Sequence, residues 1–143
     1  MGEAREVMDR VTKAVVGKDL ETLSTLYAPQ AVAVDPNVGE IQGPENIVEY
    51  FKGFHEAFPD LKWEPSREFE SGNTAIDEGY VVGTNTGPIP LPSGETIPPT
   101  GKSLRLRECD ILTVENGVAT SHRFYYDQME FLDQLGLTPG TPS

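Results

Sequence analysis

Residues 104–127 read LRLRECDILTVENGVATSHRFYYD, and this stretch decides the fold class because it predicts a long β-hairpin. Asn116 and Gly117 form the dipeptide most typical of a two-residue type I′ turn. Side chains alternate between the two faces of each strand, so the turn also predicts which residues share a face. Glu115 is expected to face Val118 beside the turn, and the first face is expected to carry the pairs Val114–Ala119, Leu112–Ser121, Asp110–Arg123, Glu108–Tyr125 and Leu106–Asp127. The opposite face is expected to hold Arg105, Arg107, Cys109, Ile111, Thr113, Thr120, His122, Phe124 and Tyr126.

The first face carries more acid than a half-buried strand pair normally tolerates. Arg123 lies across from Asp110 in this register and is available to pair with it, whereas Glu108 and Asp127 have no basic partner there. A carboxyl group in apolar surroundings has a raised pKa and can act as a general acid or base. The sequence therefore predicts Asp127, Glu108 and Asp110 as catalytic residues, with Tyr125 and Arg123 beside them as substrate-binding residues.

Three alternatives to this interpretation stay open. Asp127 also fits the N-cap of a following helix, with Glu130 in the capping-box position. The Asp110–Arg123 pair also fits a purely structural role. The two faces of the hairpin are also open to reversal, which would turn inward the side chains of Arg105, Arg107, His122 and Tyr126.

The rest of the chain predicts helices first and antiparallel strands afterwards. Helical apolar spacing runs from Val7 to Val15, resumes after Asp19 and resumes again after Gly43-Pro44. A short strand is expected at 31–35, four more at 62–69, 73–86, 102–114 and 118–126, and a closing helix at 127–135. This order indicates an α+β domain over residues 1–137, in which a curved sheet wraps around the helices, followed by a loose tail at 138–143.

Between two of these strands lies GPIPLPSGETIPPTG (87–101), whose five prolines favour a stiffened loop. The loop is either a plain connection or a lid over a pocket. Four further side chains are weaker candidates for substrate binding: Asn37, Phe54, Trp63 and Asn85. The two histidines, His55 and His122, have no metal-binding spacing, and no phosphate-binding loop is present, so neither a metal nor a cofactor is expected.

Composition limits the range of functions. The formal net charge is -12, with 11 basic and 23 acidic residues, which argues against a nucleic-acid partner. The single cysteine, Cys109, excludes a disulfide framework within the chain. No apolar signal segment and no membrane-spanning stretch is recognisable, so a cytoplasmic location away from membranes is expected.

Four motifs carry a resemblance to a known family: AFPDL (57–61), GTNTGP (83–88), PPTGK (98–102) and ENGVATSHRFYYDQMEFLDQLGL (115–137). In this order they resemble the SnoaL-like polyketide cyclases, ester-cyclase relatives within the nuclear transport factor 2-like superfamily. The resemblance implies a cone-shaped fold, a homodimer formed through the outer face of the sheet, and ring closure by aldol chemistry without metal or cofactor. It also implies that Asp127 is the base that removes a proton next to a carbonyl.

The sequence departs from this family at Asn85, where histidine is frequent, and at Arg123, where tryptophan is frequent. Arg123 would place a positive charge beside Asp127 and lower its pKa. The favoured function is therefore acid–base proton transfer on a small apolar carbonyl compound, of the cyclase or isomerase type. The alternatives are non-catalytic binding of an apolar molecule by a dimeric module, and epoxide hydrolysis. The last ranks lower because Arg107 and Asp110 would point to opposite faces.

Overall fold

Four helices are present in the computed structural model, which describes residues 2–91 and 93–137. They are α1 (Glu3–Val16), α2 (Leu20–Thr25), α3 (Gly43–Ala57) and α4 (Gln128–Gln134). Helix α1 buries the apolar stripe that its sequence spacing predicts, and Pro44 occupies the first turn of α3, where its missing N–H costs nothing. The predicted tail at 138–143 lies outside the described residues.

Six strands form one curved sheet: β1 (Tyr27–Asp35), β2 (Gly39–Gln42), β3 (Lys62–Ser71), β4 (Thr74–Thr84), β7 (Ser103–Glu115) and β8 (Val118–Tyr126). Their order across the sheet is β2-β1-β8-β7-β4-β3. Strands β1 and β8 are parallel, and the other pairs are antiparallel. A separate small hairpin, β5 (Ile89–Pro90) with β6 (Thr96–Ile97), lies within the proline-rich segment. The prediction of an α+β fold is confirmed.

The β7–β8 hairpin corrects the predicted register in one respect. Val114 pairs with Ala119 as expected, but Thr113 then pairs with Ser121, so Thr120 is an extra residue in β8. Such a bulge moves every later side chain of its strand to the other face. The hydroxyl of Thr120 donates to the Thr113 carbonyl oxygen at 3.4 Å, which gives that oxygen a partner within the bulge.

The bulge exchanges what β8 presents to the interior. Strand β7 turns inward the residues that were predicted, including Glu108 and Asp110, whereas β8 turns inward His122, Phe124 and Tyr126 in place of Arg123 and Tyr125. Burying Phe124 while Arg123 stays in solvent is the favourable choice, because an unpaired buried guanidinium is far more costly than an exposed one. Each strand therefore follows one of the two faces considered from the sequence.

Candidate active site

An inner cavity of about 90 Å³ lies between α1, α3 and the inner face of the sheet. Most of its wall is aliphatic or aromatic, and it includes Phe54 and Trp63, two of the predicted binding residues. Its polar side chains come from the sheet and from both helices. Glu108, Asp110, His122 and Tyr126 lie on β7 and β8, Tyr50 lies on α3, Thr12 on α1 and Lys62 at the start of β3.

A buried hydrogen-bonded chain runs from Tyr27 through His122 to Asp110. The Tyr27 hydroxyl lies 2.7 Å from His122 Nδ1, and His122 Nε2 lies 2.6 Å from Asp110 Oδ2. His122 is only 2% exposed and Asp110 only 8%. Burial raises the pKa of Tyr27, so this hydroxyl keeps its proton and donates to Nδ1. In this arrangement the Nε2–H of His122 donates to the Asp110 carboxylate.

Glu108 stands two residues before Asp110 on the same face of β7 and contacts it through a side-chain hydrogen bond. Burial raises the pKa of Glu108 well above its usual range, and the nearby charge of Asp110 raises it further. Two adjacent carboxyl groups that share a proton in this way differ in protonation state. The contacts favour a protonated Glu108 beside an ionised Asp110 that is held by His122.

A second polar cluster surrounds Asp35, which is 1% exposed. Its carboxylate accepts hydrogen bonds from the Tyr50 hydroxyl at 2.5 Å and from the Tyr126 hydroxyl at 3.0 and 3.1 Å. The backbone N–H groups of Asn37 and Val38 also donate to it, at 2.7 and 3.2 Å. Burial raises the pKa of both tyrosines, so their hydroxyls remain donors. Asp35 is not among the predicted site residues, although a strand-ending Asp-Pro-Asn is a typical turn in which the acid accepts backbone N–H groups.

A third buried acid, Asp77, sits on β4 directly opposite Asp110. Arg5 of α1 neutralises it: Nη1 lies 2.7 Å from Asp77 Oδ1, although no guanidinium N–H points along that line. Burial raises the pKa of Asp77, and the Arg5 charge opposes that rise. Arg5 also contacts Asp9 at 2.8 Å, and its own pKa is raised by the acids around it despite its burial. Asp77 therefore has its own counter-ion, which is separate from the Glu108–Asp110 pair.

The family model of the SnoaL-like domain matches residues 8–122, which is most of the chain. This chain belongs to the SnoaL-like domain family. The matched range includes the cavity residues Glu108, Asp110 and His122 but ends before Asp127. No curated protein matches this sequence.

Solved structures show the same cone-shaped SnoaL-like fold. A candidate SnoaL-like polyketide cyclase from Jannaschia sp. CCS1 has a TM-score of 0.83 at 16% identity, over 96% of this chain and 94% of that chain. IdmH, a candidate polyketide cyclase from Streptomyces antibioticus, has a TM-score of 0.77 at 22% identity, over 94% and 99%. AclR, a candidate hydroxylase from Streptomyces galilaeus, has a TM-score of 0.79 at 20% identity, over 96% and 98%. These likenesses concern the fold, whereas the chemistry of this SnoaL-like domain depends on its own side chains.

Asp127 does not line the inner cavity of this SnoaL-like domain. Its side chain is exposed and caps α4, accepting from the N–H groups of Met129 at 2.9 Å and Glu130 at 3.2 Å. The predicted placement of Asp127 on the inner face, opposite Leu106, is therefore wrong, because β8 is shifted by its bulge. The capping alternative for Asp127 is confirmed.

Two further predicted positions are corrected by the same shift. Arg123 and Tyr125 lie on the outer face of the sheet and are exposed, and Asp110 contacts His122 instead of Arg123. Arg107 is also exposed and lies 3.7 Å from Glu130, on the face opposite to Asp110. The structure thus separates Arg107 from Asp110 as the sequence predicted, which leaves the epoxide-hydrolase alternative without its arginine.

The two asparagines predicted to bind substrate lie in different parts of the structure. Asn37 donates through Nδ2 to the Tyr126 hydroxyl at 2.9 Å and so belongs to the Asp35 cluster. Asn85 is fully buried away from the inner cavity and serves as a structural anchor. Its amide nitrogen donates to the carbonyl oxygens of Ala57 and Gly87, and its amide oxygen accepts from the backbone and hydroxyl of Thr100. These bonds fasten both ends of the proline-rich loop to the end of α3.

Metal and membrane features can be assessed for residues 2–91 and 93–137. Within this part of the chain, no cluster of three or more histidine, cysteine, aspartate or glutamate side chains is arranged to hold a metal ion. None of the helices in these ranges has the length and apolarity needed to cross a bilayer.

Proposed function

We propose that this protein catalyses proton transfer next to the carbonyl group of a small uncharged molecule, with Glu108 as the acid and Asp110 as the base. The observation that carries the proposal is the pair of neighbouring carboxyl groups on the cavity wall, whose surroundings favour opposite protonation states. Enzymes that separate the pKa values of two adjacent carboxyl groups gain an acid and a base at the same pH.

The proposed reaction begins with an exchange of hydrogen-bond partners. In the free protein the Glu108 proton is shared with Asp110. An incoming carbonyl oxygen accepts the Glu108 proton in place of Asp110. The Asp110 carboxylate is then free to take a proton from the carbon next to the carbonyl. The product is an enol, with one proton gained at oxygen and one lost from carbon. Return of a proton to a different carbon completes an isomerisation, and attack of the enol carbon on a second carbonyl completes a ring closure.

The buried chain behind Asp110 supports its role as the base. The His122 N–H stabilises the ionised form of Asp110, and the Tyr27 hydroxyl holds the imidazole in the tautomer that can donate. When Asp110 accepts the substrate proton, its hydrogen bond to His122 remains in place. Both ring nitrogens of His122 therefore keep their partners throughout the reaction.

The test is exchange of carbonyl-adjacent protons with deuterium oxide, followed by proton NMR on a panel of simple ketones. Asp110→Asn removes the base and is expected to lower the exchange rate by a factor of about 100 or more. Glu108→Gln keeps a weaker donor that does not titrate, so exchange is slower but no longer falls as the pH rises through the Glu108 pKa. Glu115→Gln, an exposed acid on the same strand, is the matched control. A folded Asp110→Asn variant that exchanges protons as fast as the wild type would disprove the assignment.

A second function, non-catalytic binding of an apolar molecule, is favoured by the wall of the inner cavity, which is mostly aliphatic and aromatic. It predicts that the wild type and all variants bind ketones but none exchanges their protons above the rate in buffer. The expected homodimer stays a prediction for either function. The exposed aromatic rings of Phe69 and Tyr125 on the outer face of the sheet support it.

A further inference from the structure

The inner cavity is small compared with ordinary ligand sites. Its volume is about 90 Å³, whereas an engineered cavity that holds benzene measures roughly 150 Å³. Pockets for metabolite-sized ligands usually measure about 300–1,000 Å³. The inner cavity therefore has room for a carbonyl group and a few neighbouring atoms, but not for a ring. A substrate of ring size or larger must extend beyond it.

A second space, here called the outer chamber, adjoins the inner cavity and measures about 450 Å³. It is a half-open cleft lined by α3, α4, the β1–β2 turn and the β5–β6 hairpin. The inner cavity and the outer chamber share four wall residues, here called the aromatic partition: Tyr50, Phe54, Tyr126 and Phe131. The ring centroids of Tyr50 and Phe54 are 5.2 Å apart, and those of Tyr126 and Phe131 are 6.2 Å apart. A ligand that occupied both spaces would contact these four rings where the spaces meet.

The wall of the outer chamber indicates the kind of group it accepts. Most of it is apolar, and besides aromatic rings it includes five aliphatic side chains that are buried or half-buried: Ile41, Ile89, Leu91, Ile97 and Leu132. Its charged wall residues are two acids, Asp35 and Glu49. An apolar group gains from burial against such a wall, whereas an anion would be repelled by the carboxylates. The outer chamber therefore suits the uncharged apolar part of a ligand.

The β5–β6 hairpin, which forms one wall of the outer chamber, packs against α3. Gly53 sits within α3, where glycine is unfavourable, and a Cβ atom there would lie 3.1 Å from Cγ of Pro90. Glycine at this position lets the β5–β6 hairpin pack directly on the helix. Asn85 fastens the same loop from its other side through Thr100 and Ala57. Contacts from two directions thus hold the proline-rich loop beside the outer chamber.

We propose that the substrate is an uncharged carbonyl compound that occupies both spaces, with its carbonyl in the inner cavity and an apolar body in the outer chamber. The inference rests on the proposed function, because Glu108 and Asp110 place the reacting carbonyl in the inner cavity. It adds a substrate class: a ketone or related compound that carries at least a ring or a medium-length chain. It also assigns the proline-rich loop as the part of the binding site that contacts the apolar body.

The test uses a series of unbranched 2-ketones from 2-butanone to 2-decanone. Trp63 is the only tryptophan of the chain and lines the inner cavity, so its fluorescence reports binding there. We expect the affinity to rise by up to about fourfold for each added methylene that is buried, and to keep rising after the inner cavity is full. Ile97→Phe narrows the outer chamber and should weaken binding of the long ketones while leaving 2-butanone within twofold of wild type.

The matched control is Thr96→Phe, which adds the same bulk at the exposed neighbouring position on β6. It should leave the whole series unchanged. An affinity that stops rising after the shortest ketones would overturn the inference, as would equal effects of Ile97→Phe and Thr96→Phe. Proton exchange separates this inference from the proposed function. If the affinity rises along the ketone series but no proton exchange occurs, the proposed reaction is wrong and the two-space site stands. If protons exchange but the affinity does not rise, the reaction stands and the two-space site is wrong.

Discussion

Replacing Glu108 by glutamine should stabilise the protein at neutral pH, although it removes a group from the proposed reaction. Burial and the charge of Asp110 raise the pKa of Glu108 in the folded state, whereas in the unfolded chain it returns to about 4.3. Between these two pKa values the folded protein holds a proton that the unfolded chain has lost. Stability then falls as the pH rises, because the slope of the unfolding free energy follows the difference in bound protons.

The size of the effect follows from that difference of one proton. Wild type should lose about 1.4 kcal/mol per pH unit relative to Glu108→Gln across this window. For a domain of this length, that corresponds to about 5 °C in Tm per pH unit. Glutamine has nearly the same shape and can donate to Asp110, so the two proteins should be equally stable near about pH 4, where Glu108 is protonated in both states. Titrating groups that do not interact with Glu108 are common to both proteins and cancel in the comparison.

The assay is urea denaturation of both proteins at several pH values from about 4 to about 8, with stability taken from the midpoint at constant slope. Glu115→Gln, at an exposed position on the same strand, should show no such dependence on pH. A stability difference between Glu108→Gln and wild type that stays constant over this range, or that turns against the variant as the pH rises, would refute the raised pKa of Glu108. Such a result would also rule out Glu108 as the acid of the proposed reaction.

Three further outcomes follow from other contacts. Asp127→Ala should destabilise the protein by about 1 kcal/mol in thermal melts, whereas Asp127→Asn should keep both the helix cap and the proton exchange rate. If Asp127→Asn lost as much exchange activity as Asp110→Asn, Asp127 would be the base. Arg5→Met leaves the Asp77 carboxylate buried without its cation and should lower the free energy of unfolding by about 3–5 kcal/mol in urea denaturation. The double variant Arg5→Met/Asp77→Asn should recover most of this loss. A loss below about 1 kcal/mol in Arg5→Met would contradict the pairing. Nitrogen-15 NMR should place the proton that faces Asp110 on Nε2 of His122 and leave Nδ1 as an acceptor, because Tyr27 donates to Nδ1. A proton found on Nδ1 would contradict the direction of this hydrogen bond.

The prediction of the hairpin shows where local reasoning succeeds. Asn116-Gly117 forms the turn, both residues have positive φ, and β7 presents Glu108 and Asp110 to the interior as its alternation predicts. Strand β8 was predicted with the wrong face because a single extra residue, Thr120, reverses its alternation. The cue that was available is Phe124, whose burial conflicts with an inward Arg123. The bulge itself depends on pairing with β1 and β7 at once, which no local pattern contains.

The sequence by itself determined the fold class, the order of the elements, the family resemblance and one half of the candidate site. These follow from side-chain period, turn chemistry and helix caps, which act over a few neighbouring residues. Only the tertiary structure decided that Asp110 meets His122, that Asp35 collects two tyrosine hydroxyls and that Asp127 is a cap on the surface. Tyr27 and His122 are 95 residues apart, and Asp35 and Tyr126 are 91 apart. The protonation states on which the proposed chemistry depends arise from burial and from charges brought together by the whole fold, so they belong to no single segment.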